Sequence, residues 1–340
     1  MSKIKYSPIL SYVLKRIVNF LILSFIVCTI NFILPRCMPG SPLSGILARM
    51  SIEGASVSGG KAIVERYIKE FGLDKDLFTQ YICYLRQLLT GNLGVSIMAF
   101  PDSVSSLIAE ALPWTVGLLA TSTILSWIIG NLLGTFVGFS KKKKINSVLI
   151  IISLSLNRIP YYLLSIILIY LFAYVFAILP SSGRYGITVT PGLNLPFIMS
   201  AISHSILPAL SIILVSVGAW LISMRSLTVS VLGEDYLLYA EAKGLKKRRI
   251  FMRYLFRNTL LPQVTSLSMS LGSIASGSLL LEQVYDYPGM GSLLFDAFEY
   301  RDYNVMHGIF LLTTIGVLGA VTIIDLLYPL IDPRIRYGGK

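Results

Sequence analysis

Few residues in this sequence have the types and spacing that chemistry demands. A phosphate-binding loop needs a glycine-rich turn, then Lys, then Ser or Thr to hold magnesium. The nearest approach, Ala55-Ser56-Val57-Ser58-Gly59-Gly60-Lys61-Ala62, lacks the first glycine and the hydroxyl ligand. The chain is therefore not expected to hydrolyse nucleotide itself. His204 and His307 stand alone, without the H-E-x-x-H spacing of a zinc site, and no G-x-S-x-G nucleophile turn occurs. Ser276-Gly277-Ser278 lies in an apolar stretch and reads as a small-residue packing face. Cys28, Cys37 and Cys83 lack metal-ligand spacing. Cys28 sits in an apolar run, and Cys37 and Cys83 share one predicted side, which leaves a disulfide between them open. The expectation is no catalytic residue, no metal site and no cofactor bound by this chain.

Two charges remain to be placed. Arg158 falls inside an apolar stretch just before Pro160, and an ionisable group there is a pathway or gating candidate. Pro160 itself should kink its helix. Glu282 ends another apolar stretch ahead of Pro288-Gly289, either as a solvated helix end or as a second such candidate.

The polar run Asp235-Tyr236-Leu237-Leu238-Tyr239-Ala240-Glu241-Ala242-Lys243-Gly244-Leu245 carries a different chemistry, that of recognition. It reads as a short helix over Tyr236–Lys243, with Asp235 as N-cap and Gly244 as C-cap. Leu237, Leu238 and Ala242 are expected to form its apolar side. A dense basic run, Lys246-Lys247-Arg248-Arg249, opens a second helix that runs to Leu255. Such a helix either fits a groove on a partner protein or lies on the bilayer, held by its basic flank.

The surrounding chain must hold this helix at a membrane. Of 340 residues, 54% are hydrophobic and 14% charged, against about 25% charged in soluble domains. The net charge of +12 is the excess that inward loops of membrane proteins collect, and no aromatic-interleaved basic patch suggests nucleic acid. Spans are predicted near 17–34, 114–139, 148–179, 206–224, 264–281 and 305–327. Basic residues collect at Lys3 to Arg16, Lys141 to Lys144, Arg225 to Arg257 and Arg334 to Lys340, so both termini are expected to face the cytoplasm. The outside segment 36–112 balances seven basic residues with seven acidic ones. It reads as a small helical cap, with helices over 61–71 and 77–89. The fold class is thus an all-α membrane protein of six transmembrane helices. Its parts are a first segment and span (1–35), the cap (36–112) between helices 1 and 2, and a core (113–340). The cytoplasmic helix lies in the loop 225–262, between helices 4 and 5. Gly130, Gly134 and Gly138 let a second helix approach closely, within the chain or from another subunit.

With those residues in place, a resemblance emerges. Asp235-Tyr236, then Ala240-Glu241-Ala242-Lys243-Gly244-Leu245, then Arg257-Asn258-x-Leu260-Leu261-Pro262 resemble the loop motif of ABC importer membrane subunits, in the dipeptide/oligopeptide/nickel permease branch. Pro39-Gly40-Ser41-Pro42, Gly72-Leu73-Asp74, Gln80-Tyr81, Gly91-Asn92-Leu93-Gly94, Glu282 with Pro288-Gly289-Met290-Gly291, Arg301-Asp302-Tyr303, Asp325-Leu326-Leu327-Tyr328 and Asp332-Pro333-Arg334-Ile335-Arg336 follow in the same order as in that branch. Two departures stand out: Ser41 where the family usually has Asp, and Leu238 where the broader loop pattern has Glu. The resemblance implies a multi-pass permease in the cell inner (cytoplasmic) membrane, forming half of a pathway for peptides, or for oligosaccharides or nickel. It implies a second homologous permease, two cytoplasmic ATPase subunits that carry ATP and Mg, and an external substrate-binding protein. On it, the residues that couple to the ATPase are Asp235, Tyr236, Leu238, Ala240, Glu241, Ala242, Lys243, Gly244 and Leu245. A stand-alone channel or secondary transporter is the alternative, and would leave the loop helix without a role.

Overall fold

A computed structural model describes residues 8–37, 75–140, 142–272, 274 and 277–331. The motifs at 39–42, 55–62 and 72–74, the helix expected over 61–71 and the closing motif at 332–336 lie outside them. Among the described residues the chain is helical, with one isolated β-bridge between Val95 and Ser103. It divides into two compact units, one from residues 1–115, 275–279 and 288–340, the other from 116–274 and 280–287.

The first unit contains α1 (Pro8–Arg36), α2 (Leu77–Leu89) and the start of α3 (Val104–Phe139). It also contains α11 (Met290–Glu299) and α12 (Tyr303–Ile331). α1 is apolar nearly all round, and Leu21, Ile22 and Phe25 are exposed, as on a helix surrounded by lipid. α1 packs along α12. Near its C-terminal end Arg36 donates to the Phe32 carbonyl (2.8 Å) and to Gln80 Oε1 of α2 (3.0 Å). Burial pulls its guanidinium down to about 10, still cationic at neutral pH. Val104, Ile108, Met290, Met306 and Ile309 form the core of this unit. Gly308 permits the closest approach there, because a Cβ would stand 2.6 Å from Val104 Cγ1.

Asp302 ties this unit together. It is fully buried and precedes α12. Its Oδ1 accepts from the Val305 amide (3.1 Å), which caps the helix. Its Oδ2 accepts from Ser96 Oγ (2.6 Å), the Ile97 amide (2.6 Å) and the Met98 amide (3.0 Å). Burial pushes its carboxyl above the ordinary range, while these donors pull it down. Asp302→Ala should remove the acceptor of four donors and leave a void, at a cost of about 3 kcal/mol or more. The check is the thermal midpoint of detergent-solubilised protein, expected to fall by several degrees. An unchanged midpoint would show that the loop at 95–98 is held by other contacts.

The second unit holds most of α3, then α4 (Lys143–Asn157), α5 (Tyr161–Ile169) with a π-helical turn Tyr170–Val175, and α6 (Leu195–Val231). Next come α7 (Asp235–Ala242), α8 (Lys247–Arg249) and a π-helical turn Ile250–Phe256. α9 (Arg257–Gly272) and α10 (Leu279–Val284) complete it. The Gly130, Gly134 and Gly138 row of α3 has its partner within the chain. It lies against Trp220, Leu221, Met224 and Thr228 of α6, where a Cβ at Gly134 would meet an atom at 2.5 Å and one at Gly138 an atom at 2.6 Å. On another side of α6, Gly218 approaches the Ser153 carbonyl of α4, and a Cβ there would overlap it.

Among the described residues, three helical stretches are long and apolar enough to cross a membrane: Val13–Leu34 within α1, α3 and α6. α4 and α5 with its π turn would make a fourth, bent by 97°. The third expected span thus bends at Arg158–Pro160, where the kink is expected, and the bend divides it into two helices. Pro160 cannot donate to the ladder and starts a new helix at Tyr161. The fifth expected span is likewise not one helix. α9 stops at Gly272 and α10 starts at Leu279, with Gly277 between them at φ +71°. A shorter apolar helix covers Tyr303–Gly319 in the sixth.

Candidate functional site

The polar run forms α7, two turns long, immediately after α6. Its N-cap is Glu234, without a side-chain cap bond, and Asp235 is the first helical residue. The expectation of Asp235 as cap is therefore off by one. Its carboxylate instead sits in the first turn, where the helix dipole favours negative charge. At the other end Lys243 is the C-cap, and Gly244 follows at φ +67°. The Gly244 amide donates to the Glu241 carbonyl (2.9 Å) and the Leu245 amide to the Ala240 carbonyl (3.3 Å). That bond pair closes a helix through a left-handed residue, a conformation that favours glycine.

The buried face of α7 is Leu237 and Ala240, each 4% exposed. Leu238 is 59% and Tyr239 70% exposed, and Ala242 also faces outward. The expected apolar side of Leu237, Leu238 and Ala242 is thus corrected to Leu237 and Ala240, three positions apart and on one face. Ala240 is small enough to sit against a neighbouring helix, whereas the bulkier Leu238 and Tyr239 are left outside. Leu237 and Ala240 form a buried cluster with Ile250 and Leu255 of the second π turn. Tyr236, Leu245, Phe251, Tyr254 and Phe139 close around it. Each fully buried Leu or Ile here is worth about 1.5–3 kcal/mol.

Polar contacts extend this anchor into the apolar helices. Asn258 Nδ2 of α9 donates to the Tyr236 hydroxyl (3.1 Å) and to the Tyr254 carbonyl (2.8 Å). Phe251 meets Phe139, at the end of α3, edge-on at 5.5 Å. Farther along α9, Gln263 Nε2 donates to Ser223 Oγ of α6 (2.7 Å), and the Gln263 backbone carbonyl accepts from Trp127 Nε1 of α3 (3.0 Å). α7 is therefore packed and hydrogen-bonded onto the helix that enters the fifth apolar stretch. It presents Leu238, Tyr239, Glu241, Ala242 and Lys243 outward, beside an exposed basic run from Lys246 to Arg249.

The other singled-out residues lie elsewhere. Arg158 is exposed at the C-cap of α4, and Pro160 precedes α5. Glu282 is fully buried in α10, which rules out a solvated helix end. The structure does not bring these three together with α7. Among α6 contacts, His204 Nδ1 lies 2.7 Å from the Ser200 carbonyl, as a packed helix residue. His307 lies parallel to the Phe32 ring at 6.1 Å and tilted against Tyr84 at 5.0 Å. Cys28, Cys37 and Cys83 carry free thiols. Among the described residues, no group of His, Cys, Asp or Glu could hold a metal ion. Ile250, Leu255 and Asn258 are the residues that sequence reasoning missed. The spacing of five, then three, matches no regular helical face, and Asn258 stands out in the sequence only as part of a motif.

Residues 130–337 match the family described as binding-protein-dependent transport system inner membrane component. Over 328 residues the chain is 29% identical to the oligopeptide transport system permease protein AppB of Bacillus subtilis, covering 96% of this chain and 99% of that one. It is 29% identical to the oligopeptide transport system permease protein OppB of Haemophilus influenzae, covering 96% and 100%. It is 27% identical to the glutathione transport system permease protein GsiC of Escherichia coli K12, covering 96% and 99%.

Proposed function

The chain belongs to the family of binding-protein-dependent transport system inner membrane components, and on that premise we propose that it is a permease subunit of an ATP-driven importer of peptides. It is a multi-pass membrane protein, and the proposed location is the cytoplasmic membrane, with six spans and both termini inside. Relatives named for oligopeptides and for glutathione, itself a small peptide, support that cargo class over nickel. Family membership also removes the reading of a stand-alone channel or secondary transporter. A second permease, two ATPase subunits and an external substrate-binding protein complete the assembly, and ATP and Mg belong to the ATPase subunits. Arg158, Pro160 and Glu282 remain candidates for the pathway or its gating, Pro160 because the 97° break lies there.

The observation that carries the coupling role is the division of α7 into two faces. Leu237 and Ala240 anchor it, while Leu238 and Tyr239 stay exposed on a polar surface loop. An exposed aromatic beside an exposed leucine on a fixed helix is the form of an anchor for a partner groove. The Leu238→Ser, Tyr239→Ser double variant leaves the buried anchor untouched. It should insert normally yet retain the cognate ATPase subunits at least about tenfold less well on purification, with a matching loss of uptake. Wild-type retention of the ATPase by this variant would refute docking through this face.

A further inference from the structure

The helix that follows the docking element is not uniformly α-helical, and its irregularity has a consistent phase. Between Ile250 and Phe256 it is π-helical. Ile250 is buried, Phe251 half-buried, Met252 and Arg253 exposed, Tyr254 half-buried and Leu255 buried again. One turn of the buried face therefore takes five residues here. Beyond it the buried positions are Leu255, Thr259 and Gln263, four apart, as in an ordinary α-helix. In an α-helix, five positions would leave Ile250 and Leu255 about 140° apart, on different faces. A turn closed by i→i+5 bonds brings them together.

Two packing requirements explain where this turn sits. Upstream, Ile250 must face Leu237 and Ala240 of α7. Downstream, the buried Gln263 side chain must reach Ser223 of α6, while its backbone carbonyl accepts from Trp127 of α3. A regular α-helix would carry the Ile250 face on to positions 254, 258 and 262, of which Asn258 and Pro262 are exposed. One additional residue reconciles the two phases.

We propose that the π turn Ile250–Phe256 is a register device in which Ile250 and Leu255 act as positioning residues, locking the docking helix α7 to the apolar helix α9 so that the two move as one body. This rests on the reading of α7 as the ATPase-docking element. The turn is then the joint through which displacement of α7 reaches the membrane helices.

The test uses the assembled transporter in proteoliposomes, scored for ATPase subunits retained, ATP hydrolysed and peptide taken up. Deleting Met252, an exposed residue, should return the turn to α-helix and rotate one end against the other by about 100°. Expected are wild-type retention of the ATPase, continued hydrolysis, and uptake per ATP lowered at least about tenfold. Met252→Ala, which keeps the length, should match the wild type. Restoring the length, by deleting Met252 and inserting Ala after Arg253, should recover most of the coupling. Wild-type uptake per ATP in the deletion variant, or no recovery on reinsertion, overturns the proposal. If the deletion variant fails to insert, Ile250→Ala and Leu255→Ala serve instead. Each should lower uptake per ATP by more than it lowers ATPase retention, and an unchanged uptake per ATP in both is the contrary result. Failure of the wild-type chain to retain the ATPase would instead sink the docking reading beneath it.

Discussion

Ala240→Asp is expected to abolish uptake while leaving the protein inserted in the membrane. Ala240 is 4% exposed, packed with Leu237 against Ile250 and Leu255. A carboxylate placed there must either be desolvated, at a cost of several kcal/mol, or push α7 off its seat. α7 has eight residues, far below the length at which a helix is stable alone in water, so unseating it also melts it. A loss of about 4 kcal/mol in the anchored state corresponds to roughly a thousandfold fall in its population. Two measurements check this: peptide uptake in membrane vesicles, expected at background, and tryptic cleavage after Lys243, expected to accelerate. Normal uptake with unchanged proteolysis would mean that the Ala240 side of α7 is not its anchor. Gly244→Val should act in the same direction but more weakly. No atom would meet a Cβ at Gly244, so the cost is the left-handed backbone alone, about 1–2 kcal/mol. Gly244→Asn, which tolerates that conformation, should retain most activity.

The contrast between α7 and its surroundings shows what a sequence can display. The apolar stretches at α1, α3 and α6 were legible because a membrane helix needs only length and hydropathy. The existence of α7 was legible from its polar composition and from the glycine that ends it. Its orientation was not, because two turns offer too little periodicity to choose between Leu237 with Ala240 and Leu238 with Ala242. That choice was made by Ile250 and Leu255, and their common face depends on a π turn that no period of 3.6 reveals. Pro160 announced an interruption, but the 97° bend reflects a chain that stops one helix at Asn157 and starts another at Tyr161. Asp302 stood in the sequence only as part of the motif Arg301-Asp302-Tyr303. Its role depends on Ser96, Ile97 and Met98, far away in the chain, so no local pattern marks it.

Gly134→Ala should cost far more stability than Gly117→Ala in the same helix. The added Cβ would stand 2.5 Å from the Leu221 carbonyl oxygen, 2.8 Å from Met224 Cβ and 3.1 Å from the Arg225 amide nitrogen. Two of these are backbone atoms, which cannot rotate away as a side-chain tip would. α3 and α6 must therefore separate along the row, with neighbouring Gly130 and Gly138 losing their contacts to Trp220 and Thr228. Overpacking of this kind costs about 1–3 kcal/mol, and more where only backbone can yield. Gly117, in the same helix, has no atom within 4 Å of the place a methyl group would take. There Gly→Ala should be neutral or should stabilise by up to about 1 kcal/mol. The paired comparison separates contact from helix propensity, because both variants make the same chemical change in one helix. Thermal midpoints in detergent, read from size-exclusion profiles after heating, should fall by several degrees for Gly134→Ala and stay level or rise for Gly117→Ala. Equal midpoints would mean that the glycine row is not a packed seam. α6 leads within a few residues into α7. A displaced α6 therefore also shifts the base of the docking helix, and uptake should fall further than the loss of folded protein alone would account for.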